Sequence, residues 1–140
     1  MINGDPTSTF GFAWLVATIA FALHVADEAT HDFLAWYNPR ALRIRQILGG
    51  FPFPPTFTFL PWLLGLLAAV VVLGFLTRVA YTGTQWIRPV GYALGGIHIV
   101  NGLIHIVGSI TARRLVPGAY SAPLLLLTGG WLAYTAAVLQ

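Results

Sequence analysis

The chain has 140 residues, 57% of them hydrophobic and only 8% charged, against roughly 25% charged in an ordinary soluble domain. A chain this short leaves much of itself at the surface, so the surface is apolar and faces lipid, which excludes an ordinary soluble monomer. The net charge of +3 comes from seven arginines without a lysine, and cysteine is absent; this excludes disulfide frameworks and thiolate metal sites, and no basic, aromatic-interleaved patch suits nucleic acid.

Residues 1–10 carry Asp5 and no basic residue, unlike the charged start of a secretory signal peptide, so the first apolar segment is expected to be retained. A hydrocarbon core about 30 Å thick takes roughly 20 apolar residues per helical crossing. Four stretches qualify, at about residues 10–36, 57–77, 85–110 and 120–139. They are punctuated by Asn38-Pro39, the proline-rich run 51–55, Pro89 and Pro117-Gly118. Residues 41–48 alternate apolar side chains with Arg43, Arg45 and Gln46, which suits a short helix lying in the interface. The predicted fold is all-α and a single domain: a polytopic membrane protein, a four-transmembrane-helix bundle with a short interfacial helix after the first span. Trp36, Tyr37, Tyr81, Trp86 and Tyr120 fall at span ends, at the headgroup level where amphipathic rings prefer to sit. Arg40, Arg43, Arg45, Arg113 and Arg114 follow the first and third spans, whereas Arg78 and Arg88 alone lie between the second and third. By the positive-inside rule both termini then lie outside the cytoplasm.

The first span concentrates polarity at its cytoplasmic half, with His24, Asp27, Glu28, His31 and Asp32. At about 100° per residue the first four share one sector of the helix, and Asp32 points partly elsewhere. Ala20, Ala17 and Ala13 continue that face with small side chains that let another helix approach. Ionisable groups at this depth cost at least a few kcal/mol each; they need pairing, a metal or a function, the plainest alternative being inter-helix hydrogen-bonding glue.

The third span carries His98 and His105 at the same seven-residue spacing as His24 and His31, with Asn101 between them and Gly91, Gly95 and Gly102 extending the stripe. The first and third spans run in the same direction, so depth matching sets His24 level with His98 and His31 with His105. All four histidines are then expected to line one cleft, with Glu28 and Asn101 between the levels. Imidazoles plus a carboxylate with an open position form a catalytic zinc or non-haem iron site. The candidate ligands are His24, Glu28, His31, His98 and His105, and the candidate catalytic residues are Asp27, Glu28 and Asn101.

His24-x-x-Asp27-Glu28 resembles the signature of the HXXEE family of small bacterial four-span membrane proteins, with Asp27 in place of the first glutamate. Asn101-Gly102-Leu103-Ile104-His105, then Arg113-Arg114 and Pro117-Gly118, resemble the second half of that family's pattern. The resemblance implies a shared buried site made from His24, Asp27, Glu28, Asn101 and His105, and a bacterial inner membrane as the location.

The leading functional expectation is a membrane enzyme acting on an apolar or lipid-like substrate, with a divalent zinc or iron ion as cofactor. Zinc implies hydrolysis and iron implies oxidation. A metal-free alternative uses Glu28 or Asp27 as proton donor for isomerisation, cyclisation or epoxide hydrolysis. A third reading is a proton or metal-ion transporter, which four short helices accommodate poorly unless they form a homo-oligomer. Trp14, Phe21, Trp62 and Trp131 read first as packing or lipid-facing residues and second as pocket walls. The expected partners are the bilayer and a small apolar substrate, with homo-oligomerisation left open.

Overall fold

The computed structural model describes residues 5–138; residues 1–4, and Leu139 at the end of the fourth expected span, lie outside the described residues. Among the described residues the chain is all-α, in the order α1 Pro6–Thr30, α2 Phe33–Ile47, α3 Phe59–Thr82, α4 Ile87–Ala112 and α5 Ala122–Val138. Three helices, α1, α3 and α4, are long and apolar enough to cross a membrane, and α5 is a shorter apolar helix.

The start of α1 follows from its first residues. The Asp5 carboxylate accepts from the amides of Thr7 and Ser8, and Pro6 stands where a helix has no use for an amide proton. Hydrogen bonding from the Thr7 hydroxyl and these amides holds the Asp5 carboxyl below its ordinary range. The small face expected on α1 is interior: Ala13, Ala17 and Ala20 are all buried. α1 is the central helix, flanked by α3 and α5. Trp14, wholly buried, donates its indole N–H to the Leu73 carbonyl of α3 at 2.9 Å, and Phe10 packs edge-on against it. Close packing and cross-helix hydrogen bonds of this kind are what join helices whose outer faces are apolar.

The first span is shorter than its apolar run. The helix stops at Thr30, and Asp32 takes left-handed backbone angles, φ 54° and ψ 52°, which aspartate tolerates better than most residues. The chain then turns into α2, so residues 33–36, expected in the span, open the lateral helix, and Pro39 lies inside α2 instead of ending the span. The expected interfacial helix at 41–48 is therefore the second half of a longer one. α2 is tied to the proline-rich segment that follows: the Asn38 amide pairs with both the N–H and C=O of Phe57, Tyr37 donates to the Pro55 carbonyl, and Arg45 donates to that of Pro54.

The glycine stripe of α4 packs chiefly on α5, not α1. A β-carbon on Gly95 would stand 2.6 Å from the Gly129 carbonyl oxygen, and one on Gly102 2.9 Å from that of Ala122; only Gly91 faces α1, under the Phe10 ring. The nine-residue α4–α5 connection makes the two helices neighbours, and the small residues of α5 complement those of α4. α4 thus meets α1 only locally, and those meetings carry the histidines.

Candidate metal centre

His24 and Glu28 stand one turn apart on α1, so their side chains share a face. His105 reaches them from α4. His24 Nε2 lies 3.4 Å and His105 Nε2 3.1 Å from Glu28 Oε1, and the two imidazoles meet edge-to-face with centroids 4.8 Å apart. All three residues are buried: 0% exposed for His24, 4% for Glu28 and 1% for His105. One potential ligand atom from each lies within 4.8 Å of the others, so the cluster could hold a metal ion.

The tautomer of His24 follows from its other nitrogen. Ser121, the residue before α5, donates its hydroxyl to Asp27 Oδ2 at 2.8 Å and its amide to the same oxygen at 2.9 Å. With that proton committed to Asp27, the Ser121 oxygen accepts from His24 Nδ1, 2.8 Å away. A neutral His24 ring therefore carries its proton on Nδ1 and turns the Nε2 lone pair toward Glu28, where Nε2 has no hydrogen-bond partner among the described residues. Two acceptors facing each other in an apolar interior require a proton or a cation between them. A histidine whose distal N–H is fixed by an oxygen acceptor that a carboxylate in turn orients is the outer-shell arrangement of metal-ligating imidazoles. Ligands about 2.0–2.2 Å from a tetrahedral ion stand roughly 3.3–3.6 Å from one another, and the two imidazole-to-carboxylate distances of 3.4 and 3.1 Å lie at or just below that range.

His105 is held from two sides. Trp36 stacks on it at 5.9 Å with 28° between the planes, and Phe33 lies 5.8 Å away, itself stacked on Trp62 of α3. From the α4–α5 connection Gly118 lies against the opposite edge. A β-carbon there would stand 2.6 Å from Cε1 and 2.7 Å from Nδ1 of the ring, and the backbone φ is +85°, so this position requires glycine for both room and conformation.

A family model described as a protein of unknown function with HXXEE motif matches residues 14–132. The chain belongs to the HXXEE family. No curated protein and no solved structure matches it. In this HXXEE protein the motif's histidine, His24, and its final acid, Glu28, converge on the centre. Asp27, which stands where the motif has its first glutamate, turns the other way to Ser121 and His31. The departure from the motif thus falls on the residue that orients His24 through Ser121, not on one of the three that converge.

The remaining candidates are dispersed. His31, with a side chain 49% exposed, pairs with Asp27 at 2.9 Å and lies beside Tyr120; it is outside the cluster because α1 ends at Thr30. His98 is buried and stacks on Phe21 at 5.6 Å, and neither ring nitrogen has a hydrogen-bond partner among the described residues. Asn101 lines a shallow apolar groove with Gly96, Ile97, Val100 and Ile104. The level pairs expected from depth, His24 with His98 and His31 with His105, are replaced by Phe21 with His98 and His24 with His105. Depth matching assumes that the two helices follow one another along their length, and α4 follows α5 instead. Of the aromatic candidates, Trp14 is core, Phe21 covers His98, Trp62 backs Phe33 and Trp131 packs on Phe12.

Sequence reasoning missed Ser121, Gly118, Phe33 and Trp36. Ser121 carried a usable signal: it opens the fourth apolar run at the membrane end where Asp27 lies. Gly118 reads in sequence only as part of a Pro-Gly turn, and Trp36 reads as an interfacial anchor.

Proposed function

We propose that this protein is a four-span enzyme of a bacterial inner membrane, with both termini outside the cytoplasm, that binds one divalent zinc or iron ion at His24, Glu28 and His105 and acts on a lipid-like substrate. In this reading α5 is the fourth crossing: at about 1.5 Å per residue its 17 residues extend roughly 26 Å, a mismatch that a locally thinned bilayer absorbs. The observation that carries the proposal is the convergence of two imidazole nitrogens on one carboxylate oxygen inside the bundle, with the far side of His24 already locked by Ser121 and Asp27.

Two histidines and one carboxylate are a ligand set for catalytic zinc and for non-haem iron. A bound ion supplies Lewis acidity and an activated water for hydrolysis, or oxygen chemistry in the case of iron. Glu28, His24 and His105 hold it, Ser121 and Asp27 position the His24 ring, and Phe33 with Trp36 keep bulk water from His105. Asp27 is accordingly a positioning residue.

Metal analysis of the purified chain tests the proposal. About one zinc or iron per chain is expected, and Glu28→Gln should reduce it to background. A folded chain that takes up neither metal overturns this reading and leaves the acid–base one, in which Glu28 and His105, 3.1 Å apart, exchange a proton with the substrate.

A further inference from the structure

A polar pocket of about 390 Å³ opens where the α1–α2 hinge meets the α4–α5 connection, lined among others by His31, Asp32, Trp36, Arg40, Arg114 and Tyr120. It lies beside the ends of α1 at Thr30 and α4 at Ala112, the headgroup level of a bilayer that these helices cross. Arg40 is fixed there. Its guanidinium sits 4.3 Å over the Trp36 ring and donates to the Trp36 carbonyl at 2.5 Å. Two guanidinium groups against the single Asp32 carboxylate leave a net positive charge, the complement of one phosphodiester.

An apolar groove of about 440 Å³, lined by Trp36 together with Leu103, Ile104, Val107 and Gly108, runs along α4. Trp36 belongs to both cavities, and its ring also stacks on His105. We infer that the pocket and groove together seat an anionic amphiphile, one whose phosphodiester head carries no balancing cation, the phosphate at Arg40 and Arg114 and the chain along α4. A molecule lying across Trp36 brings its head-to-chain junction, where amphiphiles carry their ester and phosphoester bonds, beside the residue that packs on the centre. That the amphiphile is the substrate rests on the enzyme reading above; that it binds does not.

Native mass spectrometry of the full chain in mixed phosphatidylglycerol and phosphatidylcholine is the test. Phosphatidylglycerol should be retained preferentially, and Arg40→Gln and Arg114→Gln should each weaken retention about five-fold, as expected for roughly 1 kcal/mol per basic residue. Arg43→Gln removes the same charge from the same helix outside the pocket and should leave retention unchanged; an unchanged helical circular-dichroism signal and detergent-unfolding midpoint in all three variants confirm that they fold. Equal retention of both lipids, or an equal loss in Arg43→Gln, overturns the inference. Inorganic phosphate should not displace the lipid; if it does, the pocket is a free-anion site and the groove has no part in it. Glu28→Gln should lose metal yet keep phosphatidylglycerol. A chain that binds the lipid but never metal therefore sinks only the enzyme reading, and a metal-loaded chain without lipid preference sinks only this one.

Discussion

His98 and His105 lie two turns apart on the same helix, both buried within 2% of complete, and their surroundings are opposite. His105 meets a carboxylate oxygen, a second imidazole, the stacked ring of Trp36, the tilted ring of Phe33 and a glycine that leaves it room. His98 meets the face of Phe21 and the backbone of Gly129, and both its nitrogens are unpartnered. What separates them is the neighbouring helix. At His98 α4 and α5 touch glycine to glycine and, among the described residues, give the ring no hydrogen-bond partner, whereas at His105 α5 has not yet begun and the turn before it contributes Gly118 to this ring and Ser121 to that of His24. Burial alone thus says little about a histidine's role; the groups that meet its two nitrogens say more.

The comparison breaks most sharply on the metal. His105→Ala should abolish metal uptake in purified protein and His98→Ala should leave it intact; equal loss in both would mean that the two histidines share one centre. Ser121→Ala ranks next. It frees the His24 ring without touching a ligand, and metal affinity by competitive chelation should fall roughly 10–100-fold while the helical signal stays. Gly118→Ala should push the His105 ring aside, costing about 1–3 kcal/mol in detergent unfolding and weakening metal binding together with stability. The smallest effect belongs to His98→Leu. Replacing a buried ring with two unpaired polar atoms by an apolar side chain should be neutral or stabilising by about 1 kcal/mol, with metal content unchanged, and a marked loss of stability there would show that His98 has a partner after all.

Much of this was legible in the sequence. The apolar runs, the shortage of charge and the polar stripe on the first helix led to an all-α membrane-type chain with His24, Glu28 and His105 among the candidate ligands, and the alanine face at Ala13, Ala17 and Ala20 is buried as its small side chains implied. The end of α1 was not legible. Phe33, Leu34, Ala35 and Trp36 keep the hydropathy high through the break, and the break itself is made by the left-handed backbone of Asp32, which leaves no trace in hydropathy. The partner of the α4 glycines was hidden for another reason. A small-residue stripe predicts close approach without naming the helix that approaches, and it is Gly129 and Ala133 of α5 that lie against Gly95. The role of Ser121 follows from that choice, because only a helix beginning at that depth can bring a hydroxyl between His24 and Asp27.

In the proposed centre His24, Glu28 and His105 surround one ion. Anomalous X-ray diffraction from crystals grown with zinc or ferrous iron, collected on both sides of the metal absorption edge, tests it most directly. The account predicts one anomalous peak within about 2.0–2.2 Å of the Nε2 atoms of His24 and His105 and of a Glu28 carboxylate oxygen. A well-ordered chain with no peak there, or with its peak at His98 or between His31 and Asp27, would contradict it.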